Sequence, residues 1–158
     1  MKDFRFLEKS SDRSTLKNLY DTDFWLWIQQ TAQQLKAKDF DTVDWDNLIE
    51  EIEALGRSEK KALLNNAKIV LLRLLKWKYQ SDKRSNSWLS SINEHRERLE
   101  VDFQESPSLK RFYNENFEAL YQRARRRAAI ETRLALKSFP EQSPFTPEQV
   151  LDLDFLPH

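Results

Sequence analysis

A single glycine, at position 56 of 158 residues, is the feature that most limits the folds open to this chain. Average usage of about 7% would supply roughly eleven glycines. Tight β-hairpin turns and loops that cradle phosphates need glycine, because it adopts positive φ angles without steric cost. Sandwiches, barrels, Rossmann folds and Walker loops are therefore strongly disfavoured, and an all-α fold is expected.

The remaining composition supports one folded domain. Apolar residues make up 39% of the chain, and five Trp, ten Phe and four Tyr supply bulk for a core. The absence of cysteine excludes disulfides, thiol nucleophiles, iron–sulfur clusters and cysteine-bound zinc. We therefore predict a single helical domain over 19–158, preceded by a loose polar arm over 1–18.

Two apolar stripes with helical spacing lie in the N-terminal third of the chain. The first predicts a helix that begins near Asp21 or Thr22, either of which can cap it, and ends near Lys38. Asp44 is expected to cap the next helix, which would end where Gly56 adopts the left-handed conformation. A continuous helix kinked at Gly56 is the alternative. The first stripe comprises Phe24, Trp27, Ile28, Thr31 and Leu35, and the second Trp45, Leu48, Ile49, Ile52 and Leu55.

A broader apolar arc follows over 58–79. A helix that is apolar over most of its circumference is surrounded by neighbours, so we place this helix at the centre of a bundle of about five main helices. Ile69 and Leu72 fall outside the arc. The arc comprises Leu63, Leu64, Ala67, Val70, Leu71, Leu74, Leu75 and Trp77.

Further helices are predicted in the second half of the chain. Ser106 and Pro107 form a start signal for a long fifth helix that extends to about Leu136. The sequence from Thr146 to Gln149 matches a capping box and predicts a short helical tail. A fourth helix is indicated by the repeat of Trp88, Ile92, Leu99 and Phe103.

Charge is balanced overall, with 26 basic and 26 acidic residues, but it is segregated along the chain. Residues 1–59 have a net charge of −5 and residues 60–98 a net charge of +7. Either these segments neutralise each other within the fold, or the basic side faces a partner. No apolar run approaches the roughly 18 residues of a membrane span, and the first ten residues lack a signal-peptide pattern. A cytoplasmic protein without a membrane partner is expected.

The first basic cluster lies between the third and fourth predicted helices. Its aromatic rings suit stacking on bases, and its cations suit phosphate. The alternative is structural: the rings of Trp77 and Trp88 join the two helices across their turn, and the serines there are caps. The candidate residues for binding an anion or a partner are Lys76, Lys78, Tyr79, Arg84 and Trp88.

The second basic cluster lies on the predicted fifth helix. Arg127 shares the face of the apolar residues there, so it needs a partner, and Glu131 one turn later is suitable. The functional alternative is a site for phosphate or an acidic partner. The candidates are Arg123, Arg125, Arg126 and Arg127.

Metal and enzyme chemistry find little support in the sequence. The two histidines, His95 and His158, both lack the preceding Glu-x-x of a di-iron bundle. No Ser/His/Asp arrangement is defensible, and acid–base chemistry would depend on carboxylates alone. We predict no cofactor, no metal and no catalytic residues.

Several segments resemble an uncharacterised bacterial family, abundant in cyanobacteria, that is known as domain of unknown function family twenty-nine. The resemblance covers roughly 19–157 and implies an all-helical domain, with no established activity, cofactor or catalytic residue. Arg96 is among the matching residues and joins the candidates for anion or partner binding. The family pattern often has histidine at Arg73, proline at Ser81 and glycine near Lys38. The matching segments include Leu19–Phe24 with Trp27, Asn47–Glu53, Gly56–Glu59, Leu74–Trp77, Tyr79–Gln80, Arg84–Ser85, Ser87–Trp88, Phe139–Pro140, Thr146, Gln149–Asp152 and Asp154–Pro157.

The sequence thus favours a non-enzymatic helical interaction or scaffold domain with a protein partner. A homodimer through the fifth helix is a further hypothesis, because an overhang carrying Phe112, Phe117 and Tyr121 would need cover. The alternative function is nucleic-acid or phosphoanion binding through the basic segments 76–88 and 123–127, which requires them to share an exposed face.

Overall fold

The computed structural model describes residues 19–158, which form an all-α domain without β-strands, as predicted. The predicted arm over 1–18 lies outside the described residues. The chain divides into two compact units, one ending at Arg57 and the other spanning Ser58–His158. The α-helices are α1 (Phe24–Ala37), α2 (Trp45–Tyr79), α3 (Asn86–Glu105), α4 (Ser108–Thr132) and α5 (Pro147–Leu151). Short 3-10 helices span Phe40–Thr42, Ser81–Lys83 and Leu136–Ser138, and residues 19–22 are also helical.

Helix α2 runs through the lone glycine without interruption, so the predicted helix end at Gly56 is wrong. Gly56 has a negative φ, and a Cβ atom added there would meet nothing within 4 Å. The residues around it are good helix formers, and one glycine in a long helix costs only about 1 kcal/mol. The second and third predicted helices are therefore one helix of 35 residues.

The ends of α1 show that capping does not require glycine here. The side chain of Asp23, one residue after the predicted caps, accepts a hydrogen bond of 3.1 Å from the Leu26 N–H. At the other end Lys38 adopts the left-handed conformation, with φ at 59°, and its N–H bonds back to the last turn. Arg133 ends α4 in the same way, with φ at 60°. Helix α4 therefore stops at Thr132, before the predicted Leu136.

The core of the second unit confirms the predicted central helix. Leu63, Val70 and Leu74 of α2 are completely buried. Leu72, which was expected outside the apolar arc, is also buried, at 7% exposure. Their neighbours come from α3, α4 and the C-terminal segment: Ile92, Leu99, Tyr113, Leu120, Tyr121, Ala124, Ala128, Phe139, Phe145 and Val150.

The C-terminal segment packs on this core through the predicted capping box. The Thr146 hydroxyl accepts from the Gln149 N–H at 3.2 Å, and the Gln149 side chain accepts from the Thr146 N–H at 3.0 Å. The hydroxyls of Tyr113 and Tyr121 donate to the carbonyls of Pro147 and Pro140. These bonds connect α4 to the segment that follows it.

The aromatic side chains that motivated a dimer through α4 are covered within the chain. Tyr121 is completely buried and Phe117 is 7% exposed, while Phe112 is half-buried against the same core. The predicted overhang is therefore not present, because the C-terminal segment and α2 cover that face of the helix.

Candidate functional site

The N-terminal unit exposes much of its two predicted apolar stripes. Trp27 and Thr31 of α1 are buried, but Ile52 and Leu55 of α2 are 60% and 66% exposed. Over residues 19–57 the longer helical segments are α1 and the first part of α2, and one face of each is left without a described neighbour in the unit. The large apolar side chains exposed by more than a third are Phe24, Trp25, Leu26, Ile28, Phe40, Trp45, Ile49, Ile52 and Leu55.

A groove of about 360 Å³ runs along this surface, lined by both helices of the unit. We call it the apolar groove. Glu51 contributes a carboxylate to its lining and accepts a hydrogen bond of 2.6 Å from the Tyr20 hydroxyl. This hydrogen bond raises the pKa of Tyr20 to about 12. The apolar lining comprises Phe24, Trp27, Ile28, Ala32, Leu35, Leu48, Ile52 and Leu55.

The same unit is acidic. Residues 19–57 have nine acidic and three basic side chains, a net charge of −6, and the whole unit, 1–57, has a net charge of −4. On α2 the acidic residues Glu50, Glu51 and Glu53 follow one another along the groove-forming segment. An apolar groove on an acidic background favours basic amphipathic ligands over acidic ones.

In the second unit, the first predicted cluster has a largely structural arrangement. Lys76 is 8% exposed, and its ammonium lies 3.0 Å from Glu131 of α4 and 4.7 Å from the centre of the Trp88 ring. Glu131 also accepts from Arg127 at 2.9 Å. Burial acts to raise the pKa of Glu131, but the hydrogen bonds from Lys76 and Arg127 outweigh it and lower this pKa.

In the turn between α2 and α3, most of the candidate side chains likewise contact other groups of the same chain. The Arg84 side chain lies over the Trp77 ring at 5.0 Å and donates to the Trp77 carbonyl at 2.9 Å. The Ser85 hydroxyl caps α3, as predicted, by accepting from the Trp88 N–H. Tyr79 packs edge-on against Phe139 at 5.2 Å, and burial raises its pKa. Lys78 is exposed.

Arg96 is buried, at 1% exposure, and its guanidinium is bonded within the chain. Its guanidinium donates to the carbonyls of Val150 at 2.9 Å, Gln149 at 3.2 Å and Leu153 at 3.5 Å. Burial lowers the pKa of Arg96 to about 10. The side chain therefore connects α3 to the end of α5, and its role in anion or partner binding stays a prediction.

Two of the four arginines of the second cluster, Arg125 and Arg127, make contacts within the chain. Arg125 is half-buried and donates to the carbonyls of Phe139 and Leu136. Arg127 pairs with Glu131, as predicted, but its side chain is 60% exposed and lies outside the core. Arg123 and Arg126 are exposed.

A cleft of about 580 Å³ brings Arg123 and Arg127 together with residues that were not predicted. We call it the cationic cleft. The other polar lining residues are Lys68 and Arg73 from α2 and Ser91 and His95 from α3, with Glu131 beside Arg127. Helical spacing could have identified some of these residues from the sequence. Ser91 and His95 lie four residues apart on one helix face, as do Arg123 and Arg127.

His95 is held in one orientation at this cleft. Its Nδ1 lies 2.9 Å from the Asn66 side-chain oxygen, and Asn66 in turn donates to the Asp102 carboxylate. The Nδ1 atom of His95 therefore carries a proton, and Nε2 is an acceptor in the neutral ring. Burial, together with the charges of Arg98 and Arg73, lowers the pKa of His95.

Neither a metal site nor a membrane-spanning helix is found in residues 19–158. No three His, Cys, Asp or Glu side chains in this range are placed to hold a metal ion. None of the helices there combines the length and apolarity needed to cross a membrane.

Comparison with known proteins agrees with the resemblance in the sequence. Curated proteins and solved structures give no match. A family model described as a domain of unknown function, DUF29, matches residues 19–156, which includes both compact units and nearly all described residues. The chain therefore belongs to the DUF29 family.

Proposed function

We propose that the protein is a non-enzymatic helical interaction domain whose apolar groove binds an amphipathic helix of a partner protein. The observation that carries the proposal is the concentration of exposed apolar side chains on the N-terminal unit. Nine of the thirteen large apolar side chains exposed by more than a third, among described residues, lie in 19–57. Contiguous apolar patches of this kind mark interaction surfaces on folded domains.

The shape of the groove supports a helical occupant. Two helices line it, and the ridges of a third helix pack into such a groove through side chains spaced three and four residues apart. The lining is almost wholly apolar, with Thr31 and Glu51 as its polar members. A helix that presents leucine-like side chains on one face would bury this surface.

The charge of the N-terminal unit indicates which residues should flank the apolar face of the partner helix. The net charge of −6 on the described part of the N-terminal unit favours lysine or arginine beside the apolar face. The same charge opposes pairing of two copies through this unit, since like charges would face each other. The proposed partner is therefore a protein with a basic amphipathic helix rather than a second copy of this chain. The proposed location of the protein is the cytoplasm.

A homodimer through α4 stays a prediction, but the exposed aromatic overhang that suggested it is not present. Phe117 and Tyr121 are covered by the chain's own core, so they do not call for a partner. Light scattering at high micromolar concentration tests it, and a monomer there would remove the hypothesis.

Model peptides test the groove. An 18-residue helical peptide of leucine and lysine is titrated while tryptophan fluorescence is followed, since Trp25, Trp27 and Trp45 lie in the unit. We expect saturable micromolar binding, and no binding of a matched leucine and glutamate peptide or of a scrambled leucine and lysine peptide.

A pair of matched variants locates the binding. Ile52→Ser changes a groove residue that is 60% exposed, and Ile130→Ser changes a residue of α4 that is 69% exposed. Both should fold, but only Ile52→Ser should weaken binding, by roughly tenfold for the lost apolar contact. Equal affinity of the two variants, or equal binding of scrambled and helical peptides, would contradict the proposal.

A further inference from the structure

The cationic cleft of the second unit has more positive charge than its own carboxylate neutralises. Its lining includes Lys68, Arg73, Arg123 and Arg127 against the single carboxylate of Glu131. That carboxylate already accepts hydrogen bonds from Lys76 and Arg127. Within the described residues, Arg73 and Arg123 make no ion pair. Cations gathered at one concave surface raise the local concentration of anions.

Arg73 adds an unsatisfied donor to the cleft. Its Nε atom is buried and has no hydrogen-bond partner within the described part of the protein. Buried donors are nearly always satisfied by protein, water or a ligand, because an unpaired one costs free energy. The Arg73 side chain also lines the cleft, so an anionic ligand there would meet the charge of its guanidinium.

The cleft also offers features beyond positive charge. Ser91 contributes a hydroxyl, and His95 is a neutral ring whose Nδ1 is already bonded to Asn66. Ile69 and Leu72 form the apolar part of the lining. A volume of about 580 Å³ is within the range of sites for small organic molecules and is much larger than a bare phosphate requires.

We propose that the cationic cleft binds the phosphate group of a small organic phosphate monoester. Arg73 and Arg123 hold the phosphate oxygens, Lys68 and Arg127 supply further charge, and the apolar floor accommodates the organic part. Arginine is suited to this role because its planar donors match two phosphate oxygens at once.

Nucleic acid is the less suitable ligand for this surface. Extended strands are held by exposed aromatic faces as well as by charge. Here the Trp77 ring is covered by Arg84 and the Trp88 ring by Lys76. The cations also converge in a cleft, whereas a strand needs a continuous track. The site is independent of the apolar groove, since the two share no residue.

A titration observed at His95 tests the proposal. The chain has two histidines, so their ring signals resolve readily in proton NMR, and a His95→Gln variant assigns them. The probes are inorganic phosphate, adenosine monophosphate, sodium chloride at equal ionic strength and a 20-nucleotide single strand. We expect the His95 signal to shift saturably with adenosine monophosphate and more weakly with phosphate, whereas the His158 signal does not change. Sodium chloride should leave both signals in place.

Two arginine variants on the same helix provide the matched pair. Arg123 lines the cleft and Arg126 does not, although both are exposed on α4. Arg123→Gln should weaken adenosine monophosphate binding by roughly tenfold, the loss of one charged hydrogen bond, and Arg126→Gln should leave it unchanged. An unmoved His95 signal at several millimolar adenosine monophosphate would overturn the proposal. Equal weakening by both variants would also overturn it. Much tighter binding of the single strand, with loss in both variants, would favour nucleic acid instead.

Discussion

At the scale of single residues, Arg96 shows that a basic side chain proposed for binding can have a structural role in the fold. Sequence patterns do not separate the two, because Arg96 differs from an exposed arginine only in what surrounds it. Its neighbours come from residues more than fifty positions later in the chain. No local spacing in the sequence predicts such a contact, so this residue could be placed only by the structure.

Replacing Arg96 by methionine should destabilise the second unit substantially. The change leaves the carbonyls of Val150 and Gln149 without their donor while keeping most of the apolar stem. We expect a loss of about 2–4 kcal/mol in the free energy of unfolding, measured by urea denaturation. The control is Arg98→Met on the same helix, whose side chain is 56% exposed and whose ion pair with Glu94 contributes at most about 1 kcal/mol. Equal midpoints for both variants would contradict a structural role for Arg96.

His95 should make stability depend on pH in a defined window. Burial, with the charges of Arg98 and Arg73, lowers its pKa in the folded state, so the unfolded state binds the proton more tightly. Its contribution is therefore fully present above the unfolded pKa of about 6.5 and is lost as pH falls through the folded pKa. The free energy of unfolding, followed by urea denaturation from about pH 7.5 to pH 5, should decrease in the native protein. His95→Gln should reduce this slope, and an identical slope would contradict the assignment.

At the scale of helices, the sequence-based prediction and the structure differ most clearly at Gly56. The pattern around Gly56 is typical of a helix end, yet the chain continues as a helix with room for a Cβ atom. The true helix ends at Lys38 and Arg133 use left-handed residues that are not glycine. Positive φ is uncommon at lysine or arginine, so composition could not reveal these two helix ends.

Substituting Gly56 by alanine should therefore stabilise the protein. Alanine restricts the unfolded chain and favours helix, while the added methyl group meets nothing within 4 Å. We expect a gain of about 0.5–1 kcal/mol in the free energy of unfolding by urea denaturation. Ala54→Gly, two residues earlier in the same helix, is the control and should cost a similar amount. A loss of stability in Gly56→Ala would indicate that this glycine ends a helix after all.

At the scale of the whole molecule, the apolar pattern located the helical segments but did not indicate which of their faces are buried. Leu63 and Leu74 lie in the core, as the broad arc predicts, whereas Ile52 and Leu55 have an equally regular stripe and stay exposed. Periodicity identifies an apolar face but not whether a neighbour covers it. The cationic cleft was missed for a related reason, since its side chains come from three helices that only the fold brings together.

This difference in burial should produce unequal local stability along one continuous helix. Both parts of α2 have the same backbone hydrogen bonding, but the extended core of apolar residues lies in the second unit. Four of the six buried side-chain polar atoms without a partner, among the described residues, lie in the N-terminal unit at Trp27, Thr31, Gln34 and Asp44. Local opening therefore costs less free energy at 45–57 than at 63–75.

Hydrogen exchange followed by mass spectrometry measures this contrast directly. Amides of 63–75 should exchange at least roughly 100-fold more slowly than those of 24–37 and 45–57, because the latter open without disrupting the main core. The leucine and lysine peptide should slow exchange in the N-terminal unit alone, and adenosine monophosphate should slow it only around the cationic cleft. Uniform protection along Trp45–Tyr79 would show that the exposed apolar face is already stabilised within the chain. The argument for a partner helix at the apolar groove would then fail. The argument for phosphate binding at the cationic cleft would be unaffected.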